Sequence, residues 1–272
     1  FGVGLIIGPF LGGVLSQISL SLPFWFVGGL ALGNVILAFF NLPETNQNRD
    51  KEKKISFNPF RPIARAMGSA NLRPGFLAWF LFGLAVAGQQ AVLSLYLAGA
   101  FRFNSFQISL VMVGTGIILV LNQAYFLKQV WLRHFSEEKL IIYFLFAIFG
   151  GFLLMGASFI FTLLAGLVLY SVAQSTLRVV MTSRITKIGD AREQGMILGM
   201  LSSVMSLSMI IGPVLAGALF SLAMNLPFWA GSLFSLLAFV IILCQKKRKR
   251  LAAAELSAEA LAIAEQKIEF SC

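Results

Sequence analysis

Four stretches of this chain run without a charge, or with only one, for longer than a single helix needs to cross a bilayer. Residues 1–43 carry no charged side chain, 76–127 carry only Arg102, and 140–177 and 195–245 carry none. A hydrocarbon core of roughly 30 Å takes about 20 helical residues. Each run must therefore fold back once. The first breaks at Leu22-Pro23, where the proline follows the polar Ser19–Ser21. The second breaks at Arg102-Phe103-Asn104-Ser105, the third near Ala157-Ser158, and the fourth at Asn225-Leu226-Pro227. Eight membrane-spanning helices result, and the predicted fold class is an all-α integral membrane protein.

Composition agrees. With 58% hydrophobic and 12% charged residues and a mean hydropathy of +0.86, the chain holds more apolar surface than a soluble core of 272 residues can hide. Lipid is the expected solvent. The net charge of +10 comes in short runs between apolar stretches, as in juxtamembrane loops, so no nucleic-acid partner is expected. Cys244 and Cys272 have neither a disulfide framework nor metal-ligand spacing around them. No metal and no cofactor are expected.

Lysine and arginine set the orientation. The segments after the second, fourth, sixth and eighth helices hold seven, three, four and six of them, whereas the alternate turns hold Arg102 alone. By the positive-inside rule the basic segments, and with them the C-terminus, face the cytoplasm.

The chain also repeats itself. Residues 1–39 align without a gap to 205–243 with twelve identities, and Ile-Ile-Gly-Pro and Leu-Pro-Phe-Trp are kept whole in both copies. Two helices repeated in the same orientation indicate a parallel structural repeat relating two halves of a transporter. Four helices precede the second copy and none the first, so the expectation is an N-terminally truncated fragment of a twelve-helix parent.

With its basic loop after the first repeated pair and Leu42-Pro43-Glu44-Thr45 at the mouth of that loop, the chain resembles the major facilitator superfamily, and within it the drug/proton antiporter branch. That branch carries a fifth-helix signature of Gly, eight residues, Gly, three residues, Gly-Pro, two residues, Gly-Gly. Gly4, Gly8, Pro9, Gly12 and Gly13 match it here, while the first glycine would fall before residue 1. The second copy fills the equivalent positions with Gly199, Ser208, Gly212, Pro213, Ala216 and Gly217. Physically, Gly4, Gly8 and Gly12 form a smooth i, i+4 stripe suited to close helix packing, and Pro9 favours a kink. The resemblance implies that this helix governs opening between the halves; a packing seam without a transport role is the other reading. The family's cytoplasmic Gly-x-Leu-x-Asp-Arg-x-Gly-Arg-Lys motif falls on Gln129–Lys139, which lacks both glycines and the aspartate, so only the loop's location carries over. The loop from Ser183-Arg184 to Gly199 is similar to that of tetracycline-efflux-type members.

No Asp, Glu, Lys or His lies within the predicted spans, so a proton-binding carboxylate, which the resemblance implies, would belong to the missing N-terminal half. His134 reads as a solvated loop residue and Arg178 as a snorkelling one. The candidates for the substrate pathway are uncharged. Gln90 shares a helix face with Gly83, Ala87 and Ser94; Gln174 follows Tyr170 and Gly166 by one and two turns; Asn122 lies two turns from Thr115, with Gln123 beside it; Gln89 and Tyr96 form a neighbouring face. Each amide could equally be hydrogen-bonding glue between helices, at about 1 kcal/mol apiece.

The domain reading is then 1–43 as the last two helices of one half, 44–75 as a linker with a short helix near Ile63–Met67, 76–245 as a six-helix half, and 246–272 as a basic cluster and tail. The tail could form a cytoplasmic helix. The expected function is proton-coupled export of a hydrophobic or amphipathic small molecule by alternating access, in a bacterial inner membrane, by a protein that is monomeric when complete. A metabolite importer of the same fold and a non-transporting membrane protein acting as an interaction partner are the alternatives. An enzyme is not expected, because no span holds a nucleophile–base pair, a metal cluster or paired carboxylates.

Overall fold

A computed structural model describes residues 2–41, 68, 72–187 and 194–269. The described residues form eight long helices. They are α1 (Gly2–Ile18), α2 (Leu22–Asn41), α3 (Arg73–Phe101), α4 (Ser105–Leu121), α5 (Glu137–Met155), α6 (Ile160–Thr186), α7 (Gln194–Leu222) and α8 (Leu226–Glu269). A π-helix, Asn122–Trp131, and a short α-helical end, Leu132–His134, continue α4. Seven of the eight are long and apolar enough to cross a membrane, and α1 is a shorter apolar helix of 17 residues. The chain is a multi-pass membrane protein.

The breaks fall where lipid thickness demands them, and each has its own local chemistry. Arg102 (φ 56°) and Ser158 (φ 61°) take the left-handed backbone that ends α3 and turns the chain between α5 and α6. At the first of these, the Phe103 N–H closes on the Leu97 carbonyl at 3.2 Å. Asn104 starts α4 with a capping box: its Oδ1 accepts from the Gln107 N–H (2.9 Å), and Gln107 Oε1 accepts from the Asn104 N–H (3.0 Å). Asn225 Nδ2 donates to Ser158 Oγ at 2.5 Å and so ties the α7–α8 turn to the α5–α6 turn.

Helix α3 is the centre of the bundle. It packs on α7 and α8, α5 packs on α6 and α8, and α4 packs chiefly on α1. Phe76, Phe82, Tyr96 and Leu97 of α3, with Leu145, Ile148, Phe152, Leu177 and Phe228, form the buried core. Helix α2 packs lightly on α1 and buries no residue.

The structure corrects two loop expectations. Arg184 lies inside α6, with Arg178, and Arg73 opens α3, so several basic residues sit in helices rather than in loops. The segment Gln129–Lys139 is helical as far as His134. The tail is helical, as the continuation of α8, which runs unbroken through Lys246–Arg250 to Glu269. The linker with its short helix at Ile63–Met67 lies outside the described residues.

Candidate functional site

The glycine signature can be read residue by residue, and its second copy is the more informative. In α7, Ser208, Gly212 and Ala216 face Gly83, Ala87 and Gly88 of α3 at backbone distance. A methyl group placed on Gly212 would come within 2.8 Å of Ala87 Cβ and 3.2 Å of the Gly88 nitrogen and the Leu84 oxygen; one on Gly83 would meet Ser208 Oγ at 2.6 Å. Ser208 Oγ donates to Phe80 O and Val204 O, both at 3.1 Å, and Trp79 Nε1 donates to Leu201 O at 3.1 Å. This seam is tight and locally satisfied. Gly199 and Gly217 face open space instead.

In the first copy the contacts differ. A methyl on Gly4, Gly8 or Gly12 would touch nothing within 4 Å, so that stripe packs on no described residue. Gly13 makes the close contact. Its methyl would lie 2.6 Å from Ser109 Oγ and 2.7 Å from Ser109 Cβ. Ser109 is held by donating to Ser105 O at 2.9 Å. The two residues join α1 to α4 near the ends away from the basic segments. Pro9 and Pro213 both lie inside their helices.

The polar candidates separate by burial. Gln90 and Gln123 are exposed, whereas Gln89 (6% exposed), Gln174 (8%) and Tyr170 (4%) are buried. The face assigned to Gln90 therefore divides, since Gly83 and Ala87 are sealed against α7 while Gln90 is not. The buried hydroxyls of Tyr96 and Tyr170 have no hydrogen-bond partner among the described residues, whereas the amide atoms of Gln89 and Gln174 are not among the buried unpartnered ones. Buried phenols with unused donors and acceptors are costly unless water or a ligand meets them. Thr115 is half-buried and donates to its own helix at Met112 O, 2.8 Å.

Asn122 behaves oppositely. It is 2% exposed and fully engaged: Nδ2 faces Val172 O (3.1 Å), Ser175 Oγ (2.7 Å) and Thr176 Oγ1 (2.8 Å), and Oδ1 accepts from Trp131 Nε1 at 2.8 Å. For this residue the glue reading is what the geometry shows. Sequence reasoning missed Trp131, whose partner is nine positions away. It also missed an ionic knot on the basic side, where Glu138 of α5 faces Arg184 of α6 (3.5 Å) and Lys246 of α8 (3.9 Å), with Lys187 on Glu137 at 2.6 Å. His134 is exposed, its Nδ1 2.9 Å from Val130 O.

Comparison with known proteins places these features in context. The family model described as Major Facilitator Superfamily matches twice, over residues 1–136 and 124–268. Quinolone resistance protein NorA of Staphylococcus aureus (strain Mu50 / ATCC 700699) is 28% identical over 250 residues, which cover 90% of this chain and 62% of that protein. Multidrug resistance protein 1 of Bacillus subtilis (strain 168) is 28% identical over 229 residues, covering 83% of this chain and 57% of that one. The crystal structure of the human organic anion transporter MFSD10 (TETRAN) superposes with a TM-score of 0.72 at 24% identity, over 89% of this chain and 61% of that structure. The chain thus spans about 62% of the length of the first of these relatives.

Proposed function

Because the chain belongs to the Major Facilitator Superfamily, we propose that it is a membrane transporter and exports hydrophobic or amphipathic small molecules by alternating access. Kinship along 90% and 83% of the chain with proteins named for quinolone and multidrug resistance carries this reading. The site chemistry supports it. Gln89, Gln174, Tyr96 and Tyr170 offer uncharged donors and acceptors among aromatic and aliphatic side chains, which suits a greasy ligand with a few polar groups. Coupling to protons would then rest on a carboxylate outside these eight helices.

Cells expressing the protein and preloaded with ethidium should lose the dye several-fold faster than control cells, and a protonophore should abolish the difference. Equal loss from both kinds of cell would remove the export reading. Equal export with and without the protonophore would remove proton coupling alone.

The pathway residues have their own test. Gln89→Leu and Gln174→Leu each delete an amide while keeping volume, so the half-maximal ethidium concentration should shift by about fivefold, the equivalent of ~1 kcal/mol. Unchanged dye range and affinity in both variants would place the two amides outside the pathway.

A further inference from the structure

The ten residues Asn122–Trp131 are wound as a π-helix, and the backbone shows it directly: the Leu132 N–H bonds to the Leu127 carbonyl five residues back. The winding returns to the α form at once, with the Phe135 N–H on Trp131 O at 3.0 Å. π-Helices are rare, and most are single-turn bulges at functional sites. About two turns of one needs something to hold it.

Asn122 and Trp131 supply that hold. On an α-helix, nine residues turn through about 900°, which puts the two side chains about 180° apart. With i→i+5 bonding, at about 4.4 residues per turn, the same nine residues bring them within about 20° of one face. The 2.8 Å bond from Trp131 Nε1 to Asn122 Oδ1 can therefore form only in the π winding. Burial follows the π period as well: Asn122 and Leu127 are buried and Trp131 half-buried, while Gln123–Phe126, Lys128 and Gln129 are exposed. Both ends of the latch are anchored elsewhere. Asn122 is pinned to α6 through Val172, Ser175 and Thr176, and Trp131 stands edge-on to Phe144 of α5 at 5.1 Å.

We propose that the basic-side end of α4 is a two-register element, π-wound while the Asn122–Trp131 latch is closed and α-wound when it opens, and that transport uses both registers. The second clause rests on the export reading above. Opening the latch turns everything from Trp131 onward by about half a turn and lengthens the segment, since an α residue rises 1.5 Å and a π residue about 1.15 Å. Asn122 and Trp131 are positioning residues in this scheme, because they act through the helix and not on the ligand.

The test uses nitroxides on Leu110→Cys and His134→Cys, both exposed positions that flank the segment, in a Cys244→Ser, Cys272→Ser background reconstituted in lipid nanodiscs. Trp131→Phe keeps the ring on Phe144 and deletes only the donor, and Asn122→Leu deletes both halves of the node. Each should lengthen the spin–spin distance by about 3 Å. Ser175→Ala, which loses an anchor on α6 and leaves the latch intact, should keep the wild-type distance. Saturating ethidium should add the longer distance to the wild-type distribution.

An unchanged distance in a monodisperse Trp131→Phe protein overturns the register proposal, as does an equal lengthening in Ser175→Ala. A single wild-type distance with ethidium, in a protein that exports ethidium, overturns its use in transport. Absence of any ethidium export sinks the proposed function instead, and the variant distances still decide the register.

Discussion

Gly212→Leu is expected to destabilise the protein by roughly 2–3 kcal/mol. Two effects compete at any helix glycine. A side chain gains up to about 1 kcal/mol of helix propensity and loses whatever its overlaps cost. At Gly212 the overlaps are with Ala87 Cβ at 2.8 Å and with backbone at 3.2 Å, and backbone cannot swing aside. At Gly8, the same position of the first repeat, no described residue lies within 4 Å. The change at Gly212 corresponds to a fall of about 5–10 °C in Tm, read by heating detergent-solubilised protein and following the monodisperse fraction. A Gly212→Leu protein as stable as wild type would mean that α3 and α7 do not meet at backbone distance.

The second large effect concerns transport. Gly13→Ala puts a methyl 2.6 Å from Ser109 Oγ, so α1 and α4 must part at their ends away from the basic side. Under the proposed export function, if that contact closes the protein on one side of the membrane, a bias of about 2 kcal/mol against closure slows ethidium export by roughly 30-fold. Ser109→Gly in the same protein removes both clashing atoms and should restore most of the rate. The double-mutant cycle separates this from general damage, because Gly13 and Ser109 are coupled only if they touch. Export at the wild-type rate in Gly13→Ala, or no recovery on adding Ser109→Gly, would show that α1 and α4 do not gate.

Much of the fold was legible in the sequence because bilayer thickness and helix rise are fixed lengths. Runs without charge had to be cut, and Leu22-Pro23, Arg102, Ala157-Ser158 and Asn225-Leu226-Pro227 were the places where cutting was cheap. The repeat identified equivalent positions, and the structure shows what equivalence leaves open. A stripe of small residues records readiness to pack, so Ser208-Gly212-Ala216 and Gly4-Gly8-Gly12 look alike in sequence although only the first has a described partner. The polar candidates were harder to rank. Gln89 and Gln90 are neighbours in sequence, and one is buried while the other is exposed, a difference that depends on helix rotation by a single residue. Asn122 was read for the polarity of its face, but its role is set by Val172, Ser175 and Thr176 on another helix and by Trp131 across a winding that no hydrophobic period announces. The ionic knot was hidden for the same reason, since Glu137 and Lys187 are 50 positions apart.

Helix α8 leaves one mechanical consequence. At 1.5 Å per residue, its 44 residues reach about 66 Å, more than twice the thickness of the hydrocarbon core. Residues 226–245 are enough to cross, which sets Lys246–Arg250 at the membrane surface and leaves the rest of the helix standing about 30 Å beyond it. The same rod is wedged among α3 and α5 at Phe228 and Ala238 and tethered by Lys246 to Glu138. It is a lever arm with its fulcrum at the headgroups. A 10° tilt of the buried part would swing the far tip by about 5 Å, so rearrangements inside the bundle are carried, at about the same size, to the aqueous side.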